Sequence, residues 1–129
     1  MKNIRNIGEA ILLMGIITLG VSACVSDTII YPEDPEVPDT VTVSFNDQII
    51  PIFDADCNGS GCHDGTWAPD LTPANAYDAL ISGNYVDTDN PESSSFYVKI
   101  APGGSMEQFI SAGDRALILA WIDQGAQNN

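Results

Sequence analysis

The seven residues from Cys57 to His63, with the sequence CNGSGCH, constrain this chain more than any other segment. They contain two of its three cysteines and its one histidine. Thiols and imidazoles are the side chains that most often bond to cofactors or coordinate metal ions, and here they lie side by side. A chain of 129 residues has room for one small domain, which we expect to be organised around this segment.

The order of residues in this segment indicates covalent attachment of haem. Two cysteines followed directly by a histidine are the signature of a c-type haem site, in which the histidine coordinates the iron. The usual spacer has two residues, whereas this chain has four, NGSG. Gly59 and Gly61 can adopt backbone conformations closed to other residues, which lets the longer spacer loop outward. We therefore predict one covalent haem c bound by Cys57, Cys62 and His63.

Other interpretations of the same residues remain open. In an oxidising compartment Cys57 and Cys62 could close a short disulfide loop. A zinc site needs four ligands, and the sequence has no second cluster of cysteine and histidine. A redox-active dithiol typically has two residues between its cysteines, not four. If His63 binds haem iron, its second ring nitrogen should donate a hydrogen bond to a backbone carbonyl within residues 64–69.

Met106 is the candidate for the second axial ligand of the iron. It is the only methionine after residue 23, and it follows Pro-Gly-Gly-Ser in a loop outside any periodic apolar pattern. Ligation by histidine and methionine raises the haem potential and favours electron transfer. The alternatives are a methionine that fills a gap in the core, or an open sixth position with ligand-binding or peroxidase-like activity.

The first 23 residues have the order of a secretory signal peptide. Lys2 and Arg5 precede the apolar run ILLMGIITLG, which is too short to span a bilayer comfortably. The next residues, VSAC, resemble the lipobox of bacterial lipoproteins. This resemblance implies that Cys24 is lipidated and anchors the mature protein in the cell envelope, facing the periplasm or the cell surface. An ordinary signal sequence or an uncleaved anchor helix would also export the domain.

The charge of the chain restricts its partners. Residues 24–129 contain Lys99 and Arg115 against seventeen carboxylates, a formal net charge of −15. This charge repels nucleic acid and anionic lipid headgroups, so membrane association would depend on the acyl chain. The expected partners are redox proteins with basic docking surfaces.

Residues 24–41 and 42–129 differ in composition. The first segment is rich in proline and acidic residues, and it predicts an extended tether, or a disordered leader, that contributes nothing to a core. The second predicts an all-α domain of about four helices around one haem. From caps and apolar periodicity, the expected helices run from Ser44 to about Cys57 with a break at Pro51, from Thr72 to Gly83, from Pro91 to Pro102, and from Ser111 to Gly125.

From Ser44 to Ala126 the chain resembles the small class I cytochrome c domain, particularly bacterial variants with a four-residue spacer. The segments that carry the resemblance are IIPIFDADC, CNGSGCH, LTPANAYDALISG, PESSSFYVKI, the methionine loop and ALILAWIDQGA. It implies an electron carrier, not an enzyme, in which Phe53 packs on Trp121 where the terminal helices cross. The loop methionine of this family is commonly followed by proline, whereas here Glu107 follows. Three aromatic residues could line the haem pocket or support loops: Trp67, Tyr77 and Tyr85.

Overall fold

The computed structural model describes residues 33–129, which form four helices and no strand. This confirms the all-α prediction. The helices are α1, residues 45–57; α2, Ala76–Ser82; α3, Ser95–Ile100; and α4, Ala112–Asp123. None of the helices in this part of the chain is long and apolar enough to cross a membrane. The predicted signal peptide, Cys24 and the first part of the tether lie outside the described residues.

Helix α1 begins at the predicted cap and changes its winding around Pro51. The Ser44 hydroxyl accepts a hydrogen bond from the Asp47 N–H at 3.2 Å. The helix consists of three consecutive pieces, Phe45–Ile49, Ile50–Ile52 and Phe53–Cys57, of which the outer two are wide turns with hydrogen bonds across five residues. Because Pro51 has no N–H to donate, the regular ladder cannot continue through it. The expected break is therefore a local change of winding within one helical segment.

Helices α2 and α3 both begin later than the sequence predicts. The Asp70 carboxylate binds the N–H and the hydroxyl of Thr72, at 3.0 and 2.6 Å, and holds a turn ahead of Ala76. Pro91–Ser93 forms a separate turn of 3₁₀ helix, and Ser94, with a non-helical ψ of 128°, divides it from α3. Before α2 a side chain, and before α3 a 3₁₀ turn, satisfies backbone groups in what was expected to be the first turn of the helix. Each α-helix therefore begins later.

Helix α4 follows the prediction closely. The Asp114 N–H donates to the Ser111 hydroxyl at 3.1 Å, and the hydroxyl donates to the Asp114 carboxylate. The helix ends just before Gly125, whose φ of 95° is the left-handed conformation that glycine adopts readily. Ile118, Trp121 and Ile122 are buried, in line with the apolar periodicity.

The N-terminal and C-terminal helices pack together, but at a different aromatic residue from the one expected. The Trp121 ring packs on Phe45, with ring centroids 5.0 Å apart. Phe53 instead contacts Phe96 of α3 edge to face at 5.7 Å. The expected contact between Phe53 and Trp121 is therefore corrected: Phe45 fills the place against Trp121, two turns earlier, and Phe53 links α1 to α3.

The described end of the acidic segment packs on the helical domain, which the prediction of a non-packing tether did not foresee. Asp34 forms an ion pair with Arg115, and the side chains of the two residues are only 17% and 7% exposed. Val37 packs against the core, and the Val41 carbonyl accepts from the Gln124 amide at 2.8 Å. Hydrogen bonding to Asp34 raises the pKa of Arg115. Residues 34–41 are thus attached to α4 by specific contacts.

We expect Asp34→Asn to destabilise the domain, because it leaves the buried guanidinium of Arg115 without its counter-charge. Removing one partner of a buried pair costs about 3–5 kcal/mol, and partial solvent access to Asp34 reduces this to about 2 kcal/mol. Urea unfolding measures the change. Glu33→Gln removes a nearby exposed carboxylate and should leave the midpoint unchanged; equal midpoints for both variants would contradict the structural role of the pair.

Candidate functional site

The segment from Cys57 to His63 forms a closed loop directly after α1. The His63 N–H donates to the Cys57 carbonyl at 3.1 Å, and the Cys62 N–H donates to Gly59 at 2.8 Å. Gly61 has a φ of 81°, the left-handed conformation predicted to let the longer spacer loop outward. Gly59 has no positive φ, so of the two glycines only Gly61 uses that freedom. The four-residue spacer brings the backbones of Cys57 and His63 together.

Asp64 stabilises the outer side of this loop. Its carboxylate accepts from the Gly61 N–H at 3.1 Å and from the Thr66 N–H at 3.2 Å. Hydrogen bonding by the Thr66 side chain, then by these backbone groups, lowers the pKa of Asp64. The ionised carboxylate therefore helps to fix the conformation of the spacer.

The ring of His63 is held in the manner that the haem interpretation requires. Its Nδ1 lies 2.9 Å from the Pro69 carbonyl and 3.3 Å from the Trp67 carbonyl. Because carbonyls only accept, Nδ1 carries a proton, and Nε2 is the ring nitrogen left to bind a metal ion. Both carbonyls lie within residues 64–69, as predicted. A hydrogen bond from one ring nitrogen to a backbone carbonyl is the arrangement that orients a histidine for binding a metal ion through the other.

A cavity of about 580 Å³ brings the predicted site residues together. Cys57, Cys62, His63 and Met106 all line it. The apolar part of its wall comes from loops and from α3 and includes Leu71, Tyr85, Phe96, Ile100, Phe109 and Ile110. The chain thus places two thiols, an imidazole and a thioether, from segments more than forty residues apart, around one largely apolar space.

The two thiols are free and differ in their surroundings. Cys57 is half-buried and Cys62 is exposed. Burial raises the pKa of Cys57 to about 11, and the nearby Asp56 and Cys62 add to the effect. Because the attacking thiol of a redox-active pair has a lowered pKa, Cys57 does not suit that role. Within residues 33–129 no three or more histidine, cysteine or acidic side chains are grouped so that they could hold a metal ion.

Met106 lies in a loop at the rim of the cavity and not in the core. Its side chain is 38% exposed, which argues against a role in filling a gap between buried residues. Its N–H donates to the Lys99 carbonyl at 2.8 Å, so the loop is anchored to the end of α3. The thioether is therefore available to a ligand in the cavity.

Part of the cavity wall consists of residues that the sequence predicts. Of the three aromatic residues left open, Trp67 and Tyr85 line the cavity, whereas Tyr77 packs on Phe45 and donates to the Ala126 carbonyl at 3.1 Å. Phe109 and Lys99 also line the cavity and were not predicted. The sequence signal for Phe109 was an apolar residue, three positions after Met106, that no helix pattern used. In the structure it is 56% exposed.

Comparison with known proteins adds nothing to this geometry. No protein-family model matches the chain, and neither a curated protein nor a solved structure matches it. The residues around the cavity are therefore the basis for a functional assignment.

We expect Asp64→Asn to weaken the loop in a pH-dependent way. Since the pKa of Asp64 is lower in the folded chain than its value of about 3.9 in the unfolded chain, its stabilisation is complete above that value and is lost as the pH falls through the folded-state pKa. The urea midpoint of the variant should therefore lie below the wild-type midpoint at pH 7 and approach it below pH 4. Asp78→Asn, on the exposed face of α2, is the control. A difference that stays constant with pH would contradict this account.

Proposed function

We propose that residues 42–129 form a domain similar to class I cytochrome c that carries one covalent haem and transfers electrons. Cys57 and Cys62 would form the thioether bonds, and His63 and Met106 would coordinate the iron. The observation that carries the proposal is the single cavity lined by all four residues. A haem-free module closed by a disulfide would have no use for a shared apolar cavity of this kind.

The residues around the cavity fit the group that the proposal requires. A volume of about 580 Å³ lies within the range of roughly 300–1,000 Å³ that is usual for cofactor pockets. The donor set is two thiols, an imidazole that donates from Nδ1 to backbone carbonyls, and a thioether, which matches the attachment and ligation of a c-type haem. Aromatic and aliphatic side chains such as Leu71 and Phe96 provide the apolar contact that a porphyrin needs.

Haem, when bound, would supply one-electron exchange at its iron, and the chain would control that chemistry. The hydrogen bond from His63 Nδ1 to the Pro69 carbonyl orients the imidazole and would leave Nε2 as the ring nitrogen that faces the iron. The apolar wall lowers the local dielectric, which together with axial ligation sets the potential. Met106 would complete the coordination and keep external ligands away, which favours a carrier over an enzyme.

A second candidate function is ligand binding or peroxidase-like activity at an open sixth position. The exposed fraction of Met106, 38%, favours it, because a thioether at the rim of a cavity can move away from the iron more easily than a buried one. This candidate uses the same attachment through Cys57, Cys62 and His63.

The charge of the domain indicates the partner of the carrier. Arg115 is buried against Asp34, so Lys99 is the one unpaired cation of the described residues. Such an acidic surface would dock weakly and quickly on a basic redox protein. The lipidated Cys24 would keep the domain at the cell envelope, where that partner would be found.

The test combines a redox titration with carbon monoxide. Protein from a host that attaches haem covalently should show one reversible one-electron step, and the reduced form should bind carbon monoxide slowly and incompletely. Rapid and complete binding would overturn the carrier function in favour of the second candidate. Exchange with a basic partner should slow as ionic strength rises, whereas a flat salt profile would contradict acidic docking.

A further inference from the structure

The loop that carries Met106 folds back on the last turn of α3. The Gly104 N–H donates to the Ala101 carbonyl at 2.8 Å, and two residues later the Met106 N–H donates to the Lys99 carbonyl, also at 2.8 Å. These two bonds place the backbone of Met106 relative to Phe96 and Ile100, the α3 residues that line the cavity. The position of the thioether therefore depends on how closely the loop approaches α3.

Gly104 sets that approach. A Cβ atom at this position would lie 2.4 Å from the Lys99 carbonyl oxygen and 2.5 Å from the Val98 carbonyl oxygen. Both neighbours are backbone atoms that cannot move aside as a flexible side chain could. The φ of Gly104 is not positive, so the requirement for glycine is one of space. Any side chain here would push the loop away from the carbonyl that binds Met106.

Glu107 closes the loop from the other side. Its carboxylate accepts from the Gly103 N–H at 2.8 Å, and Gly103 has a φ of 84°. Glu107 also begins the 3₁₀ turn Glu107–Phe109 that leads to α4. This carboxylate stands directly after the methionine, where the class I domain commonly has proline, and it restrains the loop by a hydrogen bond.

We propose that Gly104 and Glu107 are positioning residues for the Met106 ligand. The inference rests on the proposed function, because it concerns the same iron site. Gly104 permits the close contact with α3, and Glu107 holds the turn around Gly103, so that together they keep the thioether at the cavity. Loosening either contact should lower the fraction of protein in which Met106 is bound, while attachment through Cys57 and Cys62 continues.

Gly104→Ala tests the first residue, with Gly113→Ala as its matched control. A Cβ at Gly113, in the first turn of α4, would meet only the Ser111 hydroxyl oxygen at an ordinary 3.8 Å. In haem-loaded Gly104→Ala we expect loss of the visible methionine-to-iron absorption band and faster carbon monoxide binding. The rate should rise on the order of tenfold, equal to about 1.4 kcal/mol. Gly113→Ala should match the wild type.

Glu107→Ala and Glu107→Gln test the second residue. They also keep the inference testable if Gly104→Ala does not fold. The alanine variant should weaken the same band, and the glutamine variant, which keeps an acceptor oxygen, should restore most of it. Oxidation of Met106 by peroxide, read by mass spectrometry, gives a second signal and should quicken in the alanine variant. If Gly104→Ala and Glu107→Ala both keep wild-type spectra and oxidation rates, this inference is wrong and the proposed function still stands. If the wild type does not attach haem, the proposed function itself is wrong.

Discussion

The double variant Cys57→Ser, Cys62→Ser, produced in a host that attaches haem covalently, is expected to carry no bound pigment after denaturation and to lose ordered aromatic packing. The cavity of about 580 Å³ has an apolar wall from several segments, which an occupant would hold together. Without one, the wall must collapse or take up water, and either change costs packing in a domain of this size. Phe96 lines the cavity and contacts Phe53, so a loss of packing in the cavity would also loosen packing in the core.

Visible absorption after denaturation and near-ultraviolet circular dichroism measure the two effects. The matched control is Cys24→Ser, which removes the third cysteine of the chain and the predicted lipid but leaves the loop intact. It should keep the pigment and the aromatic signal. A double-serine protein with the full near-ultraviolet signal of the loaded wild type would show that the core does not depend on haem.

Met106→Ala is expected to have the second largest effect. Axial ligands set haem potentials over a range of about 0.8 V, and loss of a thioether should lower the potential by roughly 0.1 to 0.2 V. The open position should also bind carbon monoxide rapidly and completely in the reduced protein. Both changes have the same cause, the removal of the ligand that completes the coordination.

Ile81→Ala is the control for this experiment. Ile81 on α2 is exposed to nearly the same degree as Met106, 39% against 38%, and does not line the cavity. It should leave the potential and carbon monoxide binding unchanged. If Met106→Ala also left both properties at their wild-type values, the methionine would not be the ligand, and the ligand-binding function would become the better proposal.

The parts of this structure that could be predicted from the sequence depend on local chemistry. Ser44 and Ser111 cap helices because a hydroxyl can reach an N–H three residues on, and Gly125 ends α4 because it tolerates a positive φ. The carbonyl that accepts from His63 was predicted because it had to lie in the six residues that follow. All of these contacts lie within a few residues along the chain.

The parts that could not be predicted depend on contacts between distant segments. Asp34 and Arg115 are 81 positions apart, and composition alone gave no sign that an acidic leader would supply the partner of a buried cation. Phe45 and Trp121 are likewise far apart in the sequence, and their contact depends on how the start of α1 packs on α4. Similarly, the need for glycine at residue 104 follows from a backbone approach that no local pattern encodes.

The intact mass of the denatured wild-type protein, purified from a host with haem-attachment machinery, tests the covalent site most directly. We predict a mass greater than that of the processed chain by one haem, with a pyridine haemochrome spectrum of two thioether bonds. A protein at the mass of the unmodified polypeptide, with no absorption from porphyrin, would contradict the assignment of Cys57, Cys62 and His63 to a haem site.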